Sequence, residues 1–161
     1  MAESRLQRLL QERKDKEELA RIVHALPDHL PGQGVPREQV PPWLTNAVRE
    51  FWHTSTEPSS VLSVDADPAR LEQWAEELLA LHGISEQFYV LSDVDGLPWL
   101  TFRASGPGWF SLVREVIESD WVFASHSLDV VAAVSEQEHV YEFFVKNDRE
   151  ARPNRRDATR P

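Results

Sequence analysis

The chain has 161 residues, 41% of them hydrophobic and 27% charged, with a formal net charge of −10. That is the size and composition of one ordinary globular domain, and six Trp with seven Phe can fill a core without covalent staples. The absence of cysteine excludes disulfides, thiolate zinc sites and cysteine nucleophiles together, and it fits a reducing compartment.

No apolar run approaches the roughly 18 residues that a membrane-spanning helix needs. The opening MAESRLQRLLQERKDKEELA lacks the apolar centre of a secretory signal, so the expected location is the cytoplasm. Charge is unevenly placed. From Asp148 to Pro161 there are five Arg and three acids, net +2, which leaves −12 on the rest. A body this acidic repels nucleic-acid phosphates. It speeds encounter with a basic protein.

Residues 3–26 predict a helix, rich in Glu, Arg, Lys, Gln and Leu and free of Gly and Pro. Its apolar residues fall in two groups, Leu6/Leu9/Leu10 and Leu19/Ile22/Val23/Leu26, separated by the polar QERKDKEE. No single stripe joins them, so the first two turns are expected to project, where Leu6, Leu9 and Leu10 either fray with the terminus or dock on a partner. Residues 27–42 hold five Pro and two Gly and read as a connector. The expected divisions are therefore an N-terminal helix and connector, 1–42, one domain, 43–146, and a disordered basic tail, 147–161.

Within the domain, Trp43, Leu44, Ala47, Val48, Phe51 and Trp52 predict a helix with a broad apolar face. VLSV at 61–64 reads as a short strand. Asp67-Pro68 opens the next helix, 68–82, and Gly83 stops it. Leu71, Trp74, Ala75, Leu78, Leu79 and His82 share its apolar stripe, while Arg70, Glu72, Gln73, Glu76 and Glu77 are expected to face away. QFYVLSDVDGLPWLTFRA, 87–104, is a hairpin about Asp95-Gly96. GPG at 106–108 opens another helix, expected to end near Ser119. WVFAS, LDVVAAV and HVYEFFVK form a three-stranded meander whose middle strand is apolar on both faces. The reading is α+β: an antiparallel sheet, hairpin plus meander, with helices packed on one face and an N-terminal helical extension.

No catalytic motif emerges. His126 and His139, with Asp129, Glu136 and Glu138 nearby, resemble a metal or acid–base set. They flank a whole strand, which places them roughly 10 Å apart if the strand lies between them. They remain the residues of a small hydrolase or transferase alternative. Ser125 and His126 point to opposite faces of a strand, and no G-x-S-x-G occurs. SDVDG fails as a calcium loop, because counting from Asp93 puts Leu97 at position 5 and Ala104 at position 12. GPGW fails as a phosphate cradle, because Pro107 lacks an N–H and no Lys-Ser/Thr follows. The sequence points to no cofactor and no metal, and it favours a binding protein over an enzyme.

The segments FYVLSDVDGLPWLTF, GWFSLVREVIESDW and LDVVAAVSEQEHVYEFFV, within 88–145, sit in a small, acidic, cysteine-free α+β chain. In architecture it resembles the single-domain immunity proteins of bacterial polymorphic-toxin systems. That resemblance implies a protein that binds and blocks a toxin, often a basic nuclease, through an acidic surface. The contact residues come from physical reasoning alone. Glu72, Glu76 and Glu77 are expected to form one acidic face, and Asp129, Glu136 and Glu138 a second. An alternative is an accessory subunit of a larger complex that docks through its N-terminal helix.

Overall fold

The structure is a computed structural model and describes residues 4–118 and 120–151. In chain order the elements are α1 (Arg5–Ala25), β1 (Gly34–Val35), a single 3-10 turn (Arg37–Gln39), α2 (Pro42–Phe51), β2 (Ser60–Ser63), α3 (Pro68–Leu81), β3 (Gln87–Leu91), β4 (Trp99–Arg103), α4 (Trp109–Val116), β5 (Trp121–Ser125), β6 (Val130–Glu136), β7 (Val140–Asn147) and α5 (Asp148–Ala151). The strands make one antiparallel sheet of seven, in the order β1-β4-β3-β5-β6-β7-β2. The fold is α+β, with the hairpin and the meander joined through the β3–β5 pairing.

The central strands are apolar on both sides, and that dictates where the helices go. Trp121 and Phe123 of β5, with Ala132 and Val134 of β6, point to one face. Val122 and Ala124, with Val131 and Ala133, point to the other. Neither face can be left to water. On the first, Ile22 and Leu26 of the α1 end, Leu71, Trp74 and Leu79 of α3, and Trp109, Phe110 and Val113 of α4 close the larger core. On the second, Trp43, Leu44, Ala47 and Phe51 of α2 pack with Val35, Trp99 and Phe144. The expectation that all helices share one face is therefore corrected: α2 lies opposite α1, α3 and α4. Its amphipathic stripe covers this side together with Val35, Val40 and Leu128.

The connector is part of the sheet. The Arg103 amide donates to the His29 carbonyl at 2.7 Å and the Thr101 amide to the Gln33 carbonyl at 3.4 Å. Gly34 and Val35 then pair with Leu100 and Trp99. Segment 29–35 thus covers the outer edge of β4, an edge that would otherwise offer unpaired backbone groups. Gly34 has φ +138°, and a Cβ there would lie 2.0 Å from the Trp99 carbonyl oxygen, so no side chain fits that approach. The tail is likewise ordered at its start. β7 continues to Asn147, and the Asp148 amide donates to the Asp129 carbonyl at 2.8 Å as α5 begins. Residues 152–161 of the expected disordered tail lie outside the described residues.

α1 is held by its C-terminal two-thirds. Ser4 and Gln7 close a capping box at its start, satisfying free amides of the first turn. Asp15 takes the Asp95 and Gly96 amides of the hairpin tip at 3.0 and 2.9 Å. Arg21 donates to the Val116 carbonyl at the end of α4, 3.0 Å away. The polar middle of the helix, which interrupts the apolar pattern, is thus the part that grips the hairpin.

Candidate functional site

α3 forms where the sequence marks it. The Asp67 carboxylate accepts from the Arg70 amide at 2.8 Å, Pro68 sits at the first turn, and Gly83 takes φ +82° beyond the end. This fixes which residues face inward, and it leaves one side of α3 opposite the segment that leads from β4 into α4. Between them lies an open groove of about 870 Å³. Ala69, Ala80, Ala104, Pro107 and Trp109 supply its apolar lining, and Glu72, Glu76, Glu77 and Glu86 its acids, against the single cation Arg103.

The three expected contact residues of α3 do not act alike. α4 begins at Gly108, in the left-handed region at φ +100° and with no side chain to cap the helix. Glu76 fills that role from α3: its carboxylate accepts from the Gly108 amide at 2.9 Å. Glu72 accepts a hydrogen bond from the Ser111 hydroxyl one turn into α4. Two carboxylates thus face the positive end of a helix. Burial pushes the Glu76 carboxyl above the usual glutamate range and the Glu72 charge adds to this, while the Gly108 and Trp109 amides pull it back. Glu72 and Glu76 are half-buried, whereas Glu77 and Glu86 are exposed at the rim. Of the three, only Glu77 is exposed at the rim, where its carboxylate accepts from the Gln73 side-chain amide at 3.0 Å.

The second expected face is divided. β6 runs from beside Asp129 to Glu136, so Asp129 lies at one end of the strand and Glu136 and Glu138 at the other, about 20 Å apart at the rise of an extended chain. The Glu136 carboxylate is 3.5 Å from the Tyr141 hydroxyl, and Glu138 lies 3.6 Å from His139, both largely exposed. The same geometry separates the histidines. His126 follows β5 and stacks on Tyr89 with ring centroids 5.7 Å apart, while His139 precedes β7. They flank β6 along its length rather than across its width, which corrects the expected spacing of roughly 10 Å. They share no site. Among the described residues no group of three or more His, Asp or Glu is arranged to hold a metal ion.

Leu6, Leu9 and Leu10 are exposed by 66%, 53% and 53%. At 3.6 residues per turn they lie roughly 170° around α1 from Ile22 and Leu26, so they face away from the body. Glu86 and Arg103 were not singled out by sequence. Their place in the groove depends on a hairpin register, Gln87 opposite Arg103, that only pairing reveals. No protein-family model matches the chain, and no curated protein or solved structure matches it either. No helix among the described residues is long and apolar enough to cross a membrane.

Proposed function

We propose that the chain is a non-enzymatic, cytoplasmic protein-binding protein of the immunity or antitoxin type, which captures a basic segment of its partner in the α3 groove. The observation that carries this reading is the groove itself: an apolar floor with four carboxylates and one cation on its walls. Glu77 and Glu86 make the first, long-range contact with the partner's Lys and Arg side chains. Glu72 and Glu76 hold the groove's shape by fixing α4. The floor takes the aliphatic stems of those side chains. Steering by such a surface raises the association rate and weakens with salt.

The test compares the tagged wild type with Glu77→Lys/Glu86→Lys in pull-downs from the native lysate, at low and high salt, followed by association kinetics on the captured protein. The reading expects a basic protein, held at low salt, released at high salt and lost by the double variant, with the association rate reduced at least tenfold. A captured protein bound equally fast by wild type and variant at low salt would sink it.

A further inference from the structure

The exposed leucines of α1 and the acid-rimmed groove are two unsatisfied surfaces of opposite character. Arg13 lies on the ridge of Leu6, Leu9 and Leu10, and Arg5, Lys14 and Lys16 flank it, while Arg8 lies on the opposite side; of the nearby acids Glu12 and Asp15, Asp15 is already engaged by the hairpin tip. Arg13, which continues the leucine ridge by one turn, pairs with Glu17 at 3.1 Å in an exposed contact, an interaction readily exchanged. The ridge therefore calls for a partner that is apolar at its floor and acidic at its rim, and the groove meets that description.

We propose that the leucine ridge of one copy docks in the α3 groove of a second copy, a head-to-tail contact that rests on the groove being a binding site. The dimensions agree. The groove follows α3 from Ala69 to Ala80, about 16 Å of helix, and the ridge from Leu6 to Arg13 occupies about 10 Å. The mode is a helix laid in a groove and anchored at i, i+3 and i+4. Two copies cannot pair ridge to ridge so well, because an antiparallel α1 pair would set Arg5 of one copy beside Arg13 of the other. Nor can one chain fill its own groove. Asp15 binds the hairpin tip, while the groove lies at the other end of the hairpin, beside Gln87 and Arg103. About 15 Å of strand and a further turn of helix stand between them. The proposed contact is the open one, in which each added copy leaves one ridge and one groove unfilled, so association continues with concentration. The contact is small, which makes it weak and salt-sensitive. Bound partner and neighbouring copy would compete for the same groove.

The test is sedimentation velocity on the full chain across about 1–100 μM, at about 0.02 M and about 0.5 M salt. The wild type is expected to pass from monomer to species larger than dimer as concentration rises at low salt, and to stay monomeric at high salt. Leu9→Glu/Leu10→Glu, which removes the ridge, and Glu77→Lys/Glu86→Lys, which reverses the rim, should each be monomeric throughout. Mixed in equal amounts they should form a dimer and stop there, since one retains a groove and the other a ridge. All four substituted positions are exposed, and circular dichroism checks that each variant is folded. A wild type that is monomeric in every condition, a variant that assembles as wild type does, or a mixture that stays monomeric would each overturn the proposal. Any of these results leaves the capture of a basic partner to be judged by the pull-down, so the two failures are separable.

Discussion

The two faces of the sheet are covered in different ways. One helix, α2, lies on its face as a lid: Trp43, Leu44, Ala47 and Phe51 meet the sheet, and its Glu50 pairs with Lys146 of β7. The other face is shared by α1, α3 and α4, and helices that share a face must also meet one another. Where α3 meets the start of α4, an α3 carboxylate meets the Gly108 amide at the surface, above the hydrocarbon that the two helices share in the core. The groove opens at that seam. The α2 face has a cleft too, about 580 Å³ beside the hairpin, but its charges are mixed, Arg37 and Arg49 with Asp93 and Asp95. The seam on the three-helix face is lined by four acids against one cation, which sets the two clefts apart in charge.

That contrast can be tested by substitution. Phe110 is fully buried among Trp109, Trp121 and Phe123, so Phe110→Ala should cost about 4 kcal/mol in denaturant unfolding. Phe51 packs on Phe144 at 5.7 Å beneath the thinner cover, and Phe51→Ala should cost about 3 kcal/mol. Equal losses, or a larger loss for Phe51, would break the claim that the three-helix face holds the main core. Asp15→Ala removes two hydrogen bonds at an exposed hairpin tip and should cost about 1 kcal/mol at neutral pH. Those amides, together with Gln11, outweigh partial burial, the largest single effect, and hold the Asp15 carboxyl below its ordinary range. The stability Asp15 contributes is therefore present above the ordinary aspartate range and lost as pH falls through its depressed value. Wild type and variant should converge in acid, which a pH series of thermal melts would show.

Glu76 gives the smallest effect and the opposite sign. Its carboxyl is raised by burial, so the folded state holds its proton more tightly than the unfolded chain does. Stability from this group is full below the ordinary glutamate range and falls as pH rises through the raised value. Glu76→Gln, which keeps an acceptor for the Gly108 amide, should gain in melting temperature relative to wild type between pH 4 and pH 7, by about 1–3 °C. A difference that shrinks with rising pH would show that the Gly108 contact dominates over burial.

The parts legible in the sequence are those set by neighbouring residues. Asp67-Pro68 and Gly83 bracket α3 by local chemistry, and Asp95-Gly96 marks the hairpin for the same reason. An amphipathic stripe announces that a helix buries one side. It does not say which face of a sheet receives it, which is why the expectation of helices on one face puts α2 on the wrong side. β1 is two residues long and exists because β4 has an open edge, so nothing within Gly34–Val35 could announce it. Glu72 and Glu76 read as solvent-facing because their partners, Ser111 and Gly108, lie more than thirty residues on. The histidine distance was misjudged because a strand can separate two residues by its width or by its length, and its length is several times larger.

The clamp of Asp15 on the hairpin tip carries one more consequence. α1 is an unbroken rod from Arg5 to Ala25, so a force applied at its free end is transmitted to that clamp as through a lever. The Asp95 and Gly96 amides sit at the fulcrum. Their hydrogen-exchange rates should therefore respond whenever the far end of α1 is loaded, making these two protons a built-in gauge of an event that happens some 15 Å away along the helix.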